Sequence, residues 1–126
     1  MNTNNESRLL NTIQKSNKLN DVLAVDQPGP GHANHKYIVM RSGKHDVVQE
    51  IGFQKGPRND ETSVSGVLDT DLLEIVRDRL QGFQSDVDLS CRENAIALTH
   101  IEDALLWLNK RVEDRASRGV LGTNKK

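Results

Sequence analysis

Three arginines near the C-terminus, Arg111, Arg115 and Arg118, follow one another at i, i+4 and i+7. That spacing places them on one helix face, where planar guanidinium forks suit phosphate oxygens and stacking on a base. A solvated face paired with Glu113 or Asp114 would use the same residues without a ligand. Upstream, Phe83 and Asn94 are eleven residues apart across a turn. Together they offer an aromatic ring for stacking and an amide for reading a base edge, although an aromatic at helical spacing also serves a core. A third group, Gly31, His32, Asn34 and His35, could cradle an anion through backbone amides and imidazole donors, or form a plain turn.

Signatures of catalysis are missing. There is no nucleophile elbow, no phosphate-binding loop of the P-loop kind and no paired acid and base. His32, His35, His45 and His100 lack metal-ligand spacing, and the pairs Glu102-Asp103 and Glu113-Asp114 read as exposed helix faces. The residues point to a binder without metal or cofactor, not to an enzyme.

The elements that must position these groups follow from periodicity. Residues 1–30 read as an extension, poorly ordered or a short helix, with Leu9, Leu10, Ile13 and then Leu19, Val22, Leu23 as its apolar hints. Gln27-Pro28-Gly29-Pro30-Gly31 breaks regular structure. Residues 31–126 read as one domain. It comprises an antiparallel β-hairpin over 35–54, a surface loop over 55–68, a helical hairpin over 69–118 and a tail over 119–126. The first helix carries Leu72, Leu73, Ile75, Val76, Leu80 and Phe83, with Asp69 or Thr70 as its cap. Ser90-Cys91-Arg92-Glu93 reads as a capping box in which Ser90 caps a second helix, and Gly119 closes that helix. Along it, Leu98, Ile101, Leu105, Leu108 and Val112 form a heptad-like seam. The fold class is therefore α+β, a small antiparallel sheet followed by a long helical hairpin.

Geometry constrains how the candidate residues cooperate. Arg111 lies seventeen residues beyond Asn94, so at 1.5 Å per residue they are about 25 Å apart on one helix. No small ligand spans that distance. A single pocket using both ends needs a second chain running antiparallel, and a twofold dimer with two equivalent pockets follows.

Composition sets the outer bounds. The 126 residues, 35% hydrophobic and 3% aromatic, have room for one small domain and cannot supply two independent cores, so oligomerisation is the expected remedy. A net charge of -1 gives no global field for nucleic acid or an acidic membrane. The single cysteine suits a reducing cytoplasm, no apolar run is long enough for a membrane span, and the N-terminus lacks a signal-peptide layout.

Several blocks bear a family likeness: Phe53-Gln54-Lys55-Gly56-Pro57, Leu72 through Leu80, Cys91-Arg92-Glu93-Asn94-Ala95, Ala104-Leu105-Leu106-Trp107-Leu108, and Arg118 through Thr123. In their order and spacing the sequence resembles the phage-encoded anti-Thoeris signal sponges, the first-described family of Thoeris anti-defence proteins, whose helical hairpin is shared with an anti-CBASS sponge. The resemblance runs from about Pro30 to Thr123. It implies a non-catalytic protein of the infected cell's cytoplasm that sequesters cyclic ADP-ribose isomers made by bacterial TIR-domain enzymes. It also implies dimers that build hexamers, and cyclic di- or trinucleotides as further ligands in separate pockets. Phe83 would stack the adenine, Asn94 would bond to it, and Arg111 and Arg115, with Arg118, would hold the pyrophosphate. The Gly31, His32, Asn34, His35 loop is the corresponding nominee for a cyclic oligonucleotide. The other readings open to this sequence are a nucleotide-hydrolysing enzyme and a structural or polynucleotide-binding protein.

Overall fold

A computed structural model describes residues 7–123. The chain divides into two compact units after Val67. The first is a four-stranded antiparallel sheet in the order β1-β2-β3-β4, formed by Arg8–Leu9, Asn20–Ala24, Lys36–Arg41 and Val47–Gly52. The second contains two helices, α1 (Asp69–Gln84) and α2 (Arg92–Ser117). The fold class is α+β, as the sequence implies.

The expected hairpin is β3 and β4, whose β-branched residues favour a pleated, half-covered surface. Its register shifts by one residue between Val39 and Met40. Among the described residues of the N-terminal extension the expected helix is not found. Those residues instead supply β1 and β2, and the hairpin grows into a four-stranded sheet. Leu19, Val22 and Leu23 have helical spacing, but the segment pairs Val22 with Val39 and Leu23 with Ile38. Long-range ladder bonds and cross-strand apolar pairs outweigh the local pattern there. Residues 1–6 and 124–126 of the expected extension and tail lie outside the described residues.

Beyond β4 the loop closes back on itself. Val67 bonds both Gly52 and Gln54, and Lys55 exchanges two backbone bonds with Val64. This return requires glycine at 66, because a Cβ there would lie 2.4 Å from the Phe53 carbonyl carbon. Phe53 meets Tyr37 edge to face at 5.6 Å. Of the described residues in the sheet unit, only Ala24 is buried.

The helices run antiparallel. Arg77 of α1 bonds Glu102 of α2 at 2.9 Å, while Thr70 and Val112, nearer the opposite ends, line one groove. Leu98, Ile101, Leu105 and Leu108 are half-buried along the expected seam. Both expected caps are corrected. Leu68 is the cap of α1, and the Asp71 carboxylate accepts from its N–H at 2.8 Å. Cys91, not Ser90, caps α2, its Sγ accepting from the Asn94 N–H at 3.4 Å. The extended backbone that a cap needs falls one residue later than the sequence pattern places it, and sulfur substitutes for hydroxyl.

Candidate ligand-binding site

Two ends of the helical hairpin carry the expected ligand residues. At the closed end, α1 finishes with half-buried Phe83, and the chain re-enters helix through Cys91. The Cys91 N–H donates to Gln84 Oε1 at 3.1 Å, which ties the start of α2 to the end of α1. Asn94 sits in the first turn of α2 with its N–H used by the cap and its side chain half-buried. The antiparallel register places Phe83 and Asn94 together at this end. The Arg79 guanidinium lies over the Phe83 ring, 5.3 Å from its centroid, a contact that the sequence reading missed although i, i+4 spacing announces it.

At the other end, α2 terminates in a Schellman turn. Val120 N–H bonds the Arg115 carbonyl and Gly119 N–H bonds that of Ala116, with Gly119 at φ +73. The turn folds the tail back over the helix, and Arg115 Nη2 donates to the carbonyls of Val120 and Thr123 at 3.0 and 2.9 Å. Arg115 is consequently 6% exposed and is the buried residue of the two helices. Arg118 donates to Asp114 at 3.0 Å, and Arg111 is exposed. The arginine row thus contains three environments, one locked, one ion-paired and one open. Within one chain the structure groups Arg111, Arg115 and Arg118 at one end and Phe83 with Asn94 at the other.

Between the helices, an open groove of about 420 Å³ is lined by Glu74, Arg77, Glu102, Leu105, Leu106 and Asn109. Glu102 and Glu74 hold Arg77 between them, and the bond to Glu102 is the chief reason its pKa is raised. Apolar side chains on the helices remain outside: Trp107 is 70% exposed, Leu106 68% and Ile75 57%.

The sheet unit holds the remaining nominees. Gly31 and His32 lie in a single 3-10 turn, Pro30–His32, both with positive φ. Asn34 is engaged internally, receiving Arg8 Nη2 at 2.8 Å and donating to the carboxylate and carbonyl of Asp26. His35 donates its N–H to the same carboxylate at 3.1 Å, while its Nδ1 is buried without a hydrogen-bond partner among the described residues. Burial pushes the Asp26 pKa up, but the bonds from Asn34, His35 and Lys36 outweigh it and leave the pKa lowered. A Cβ at Gly29 would press on His35 and Lys55, and an open groove of about 410 Å³ next to Pro30 is lined by Lys55, Gly56, Asp60, Thr62 and Ser63. Asp26 and Arg8 were not foreseen, because nothing in their sequence spacing links them to Asn34.

A family model for the Acb2/Tad1 hairpin domain matches residues 45–113. The chain belongs to this family. It is also 49% identical over 76 residues to Thoeris anti-defense 1 of Bacillus phage SBSphiJ7, an alignment covering 60% of this chain and 52% of that protein. The aligned segment thus spans about half the length of that relative. Among the described residues no helix is long and apolar enough to cross a membrane, and no group of three or more His, Cys, Asp or Glu side chains could hold a metal ion.

Proposed function

We propose that this protein is an anti-defence sponge. It binds cyclic ADP-ribose isomers in the infected cell's cytoplasm and holds them intact, which silences Thoeris signalling. The observation that carries the reading is the division of one helix between two kinds of group. Asn94 lies in its first turn, at the end of the hairpin where α1 finishes with Phe83, and arginines gather about 25 Å away at its end. A second chain, antiparallel along the exposed apolar face, brings its Arg111, Arg115 and Arg118 to the first chain's ring and amide. The base stacks on Phe83, Asn94 bonds its edge, and the arginines hold the pyrophosphate through charge-assisted bonds contributing about 1.5–3 kcal/mol each. A cyclic ligand is already stiff, so little conformational freedom is lost on capture. The relative's name, Thoeris anti-defense 1, supports this direction.

The reading extends to dimers that assemble as hexamers, and to a second pocket for cyclic di- or trinucleotides at the Gly31, His32, Asn34, His35 loop. The groove beside Pro30, with Lys55 on its wall, favours that location.

Capture without turnover is tested by incubating the protein with a cyclic ADP-ribose isomer, removing free ligand and heat-denaturing the complex. Recovery of intact ligand in stoichiometric amount is expected. Recovery of a hydrolysed product would establish an enzyme instead.

A further inference from the structure

The arginines of the helical unit are held in different ways. Arg77 is paired with Glu74 and Glu102, Arg118 with Asp114, and Arg115 with two tail carbonyls. Arg79 differs from these three. It is exposed, forms no ion pair among the described residues, and rests over the ring of Phe83. Asp78 and Asp71 are also exposed on α1, yet neither pairs with it. A cation over one face of a phenyl ring is attracted by the ring's negative face and fixes the ring's rotamer. It also covers that face, so a planar ligand stacks on the opposite one. The same charge, uncompensated by a carboxylate, lies beside whatever anionic group the stacked ligand carries.

We propose that Arg79 is a positioning and charge-selecting residue of the nucleotide site: it holds Phe83 from one side so that the ring's other face receives the base, and it favours anionic nucleotides over neutral nucleosides. The inference rests on the reading above that Phe83 stacks a base. Ordinary packing of an arginine stem along α1 would stabilise the helix but would leave the electrostatics of ligand capture unchanged. The two roles therefore separate in salt dependence.

The experiment is calorimetry of the full chain with a cyclic ADP-ribose isomer across a range of salt concentrations, for the unsubstituted protein, Arg79→Ala and Arg79→Lys. Circular dichroism monitors α1 in parallel. Arg79→Ala is expected to weaken binding about tenfold at low salt and to flatten its salt dependence. Arg79→Lys restores the salt slope while recovering the affinity only in part, because an ammonium lacks the planar fork. A slope that is unchanged in Arg79→Ala, or a loss in both variants that tracks lost helicity, overturns the role of Arg79 alone. No binding by the unsubstituted protein overturns the sponge reading itself, and the Arg79 role with it.

Discussion

The sheet unit buries an alanine, and the helical unit buries an arginine. In the sheet, Ala24 sits on β2, and the strands are held by backbone ladders and by the brace from Arg8 through Asn34 to Asp26. Those groups are satisfied within one chain. The helical hairpin differs in what it encloses. It turns Trp107, Leu106 and Ile75 outward while enclosing the Arg115 guanidinium under its own tail. A buried cation is costly unless its donors are met, and an exposed apolar face on a small domain marks a contact surface. Both units leave large apolar side chains outside, Ile13 and Leu19 in the sheet unit among them; on the function proposed above, it is the helical unit that a second copy completes.

Leu105→Asp strikes the helical side hardest, since Leu105 is half-buried on the seam and lines grooves between α1 and α2. A loss of about 3 kcal/mol or more is expected, with helical ellipticity and oligomeric mass falling together in urea titrations while β3 and β4 amide signals persist. Simultaneous melting of the sheet would break the comparison. Arg115→Ala is next, at about 3 kcal/mol, the lower end for two lost charge-assisted bonds. Hydrogen exchange should report lost protection at Val120 and Thr123, with partial recovery in Arg115→Lys.

Acid should act on the opposite region. The Asp26 carboxyl is depressed in the folded state, so its contribution is present above the usual carboxylate pKa of about 3.9 and is lost as pH falls through the lower folded value. Amide shifts at His35 and Lys36 should move in that window. Asp26→Asn should abolish this part of the pH response. The smallest effect is expected from Cys91→Ser, where a hydroxyl replaces sulfur as the acceptor for Asn94. Thermal melting should show stabilisation of up to about 1 kcal/mol.

The helices were legible because their apolar residues recur at three and four and because Gly119 marks the end of α2. β3 and β4 were legible from dense β-formers on either side of a polar, glycine-containing turn. β2 was not, since Leu19, Val22 and Leu23 carry helical spacing and only partners far along the chain, Val39 for Val22 and Ile38 for Leu23, decide otherwise. The arginine row was legible as a row, but its three environments were not. What distinguishes Arg115 is a pair of backbone carbonyls delivered by a turn, and backbone groups leave no mark on residue type. Phe83 stood out in the sequence as an aromatic that could stack a base or serve the core, whereas the cation resting on it was overlooked among charged residues that read alike.

The most direct measurement mixes two crippled proteins. Phe83→Ala removes the ring end of each pocket, and Arg115→Ala removes the guanidinium end. Each alone should fail to bind a cyclic ADP-ribose isomer. Co-refolded and shown by mass to exchange subunits, the pair forms hybrid dimers in which one pocket draws its ring and its arginine from intact sources. Calorimetry is then expected to recover one site per hybrid dimer. Proven exchange with no recovered site would contradict a pocket shared between antiparallel chains.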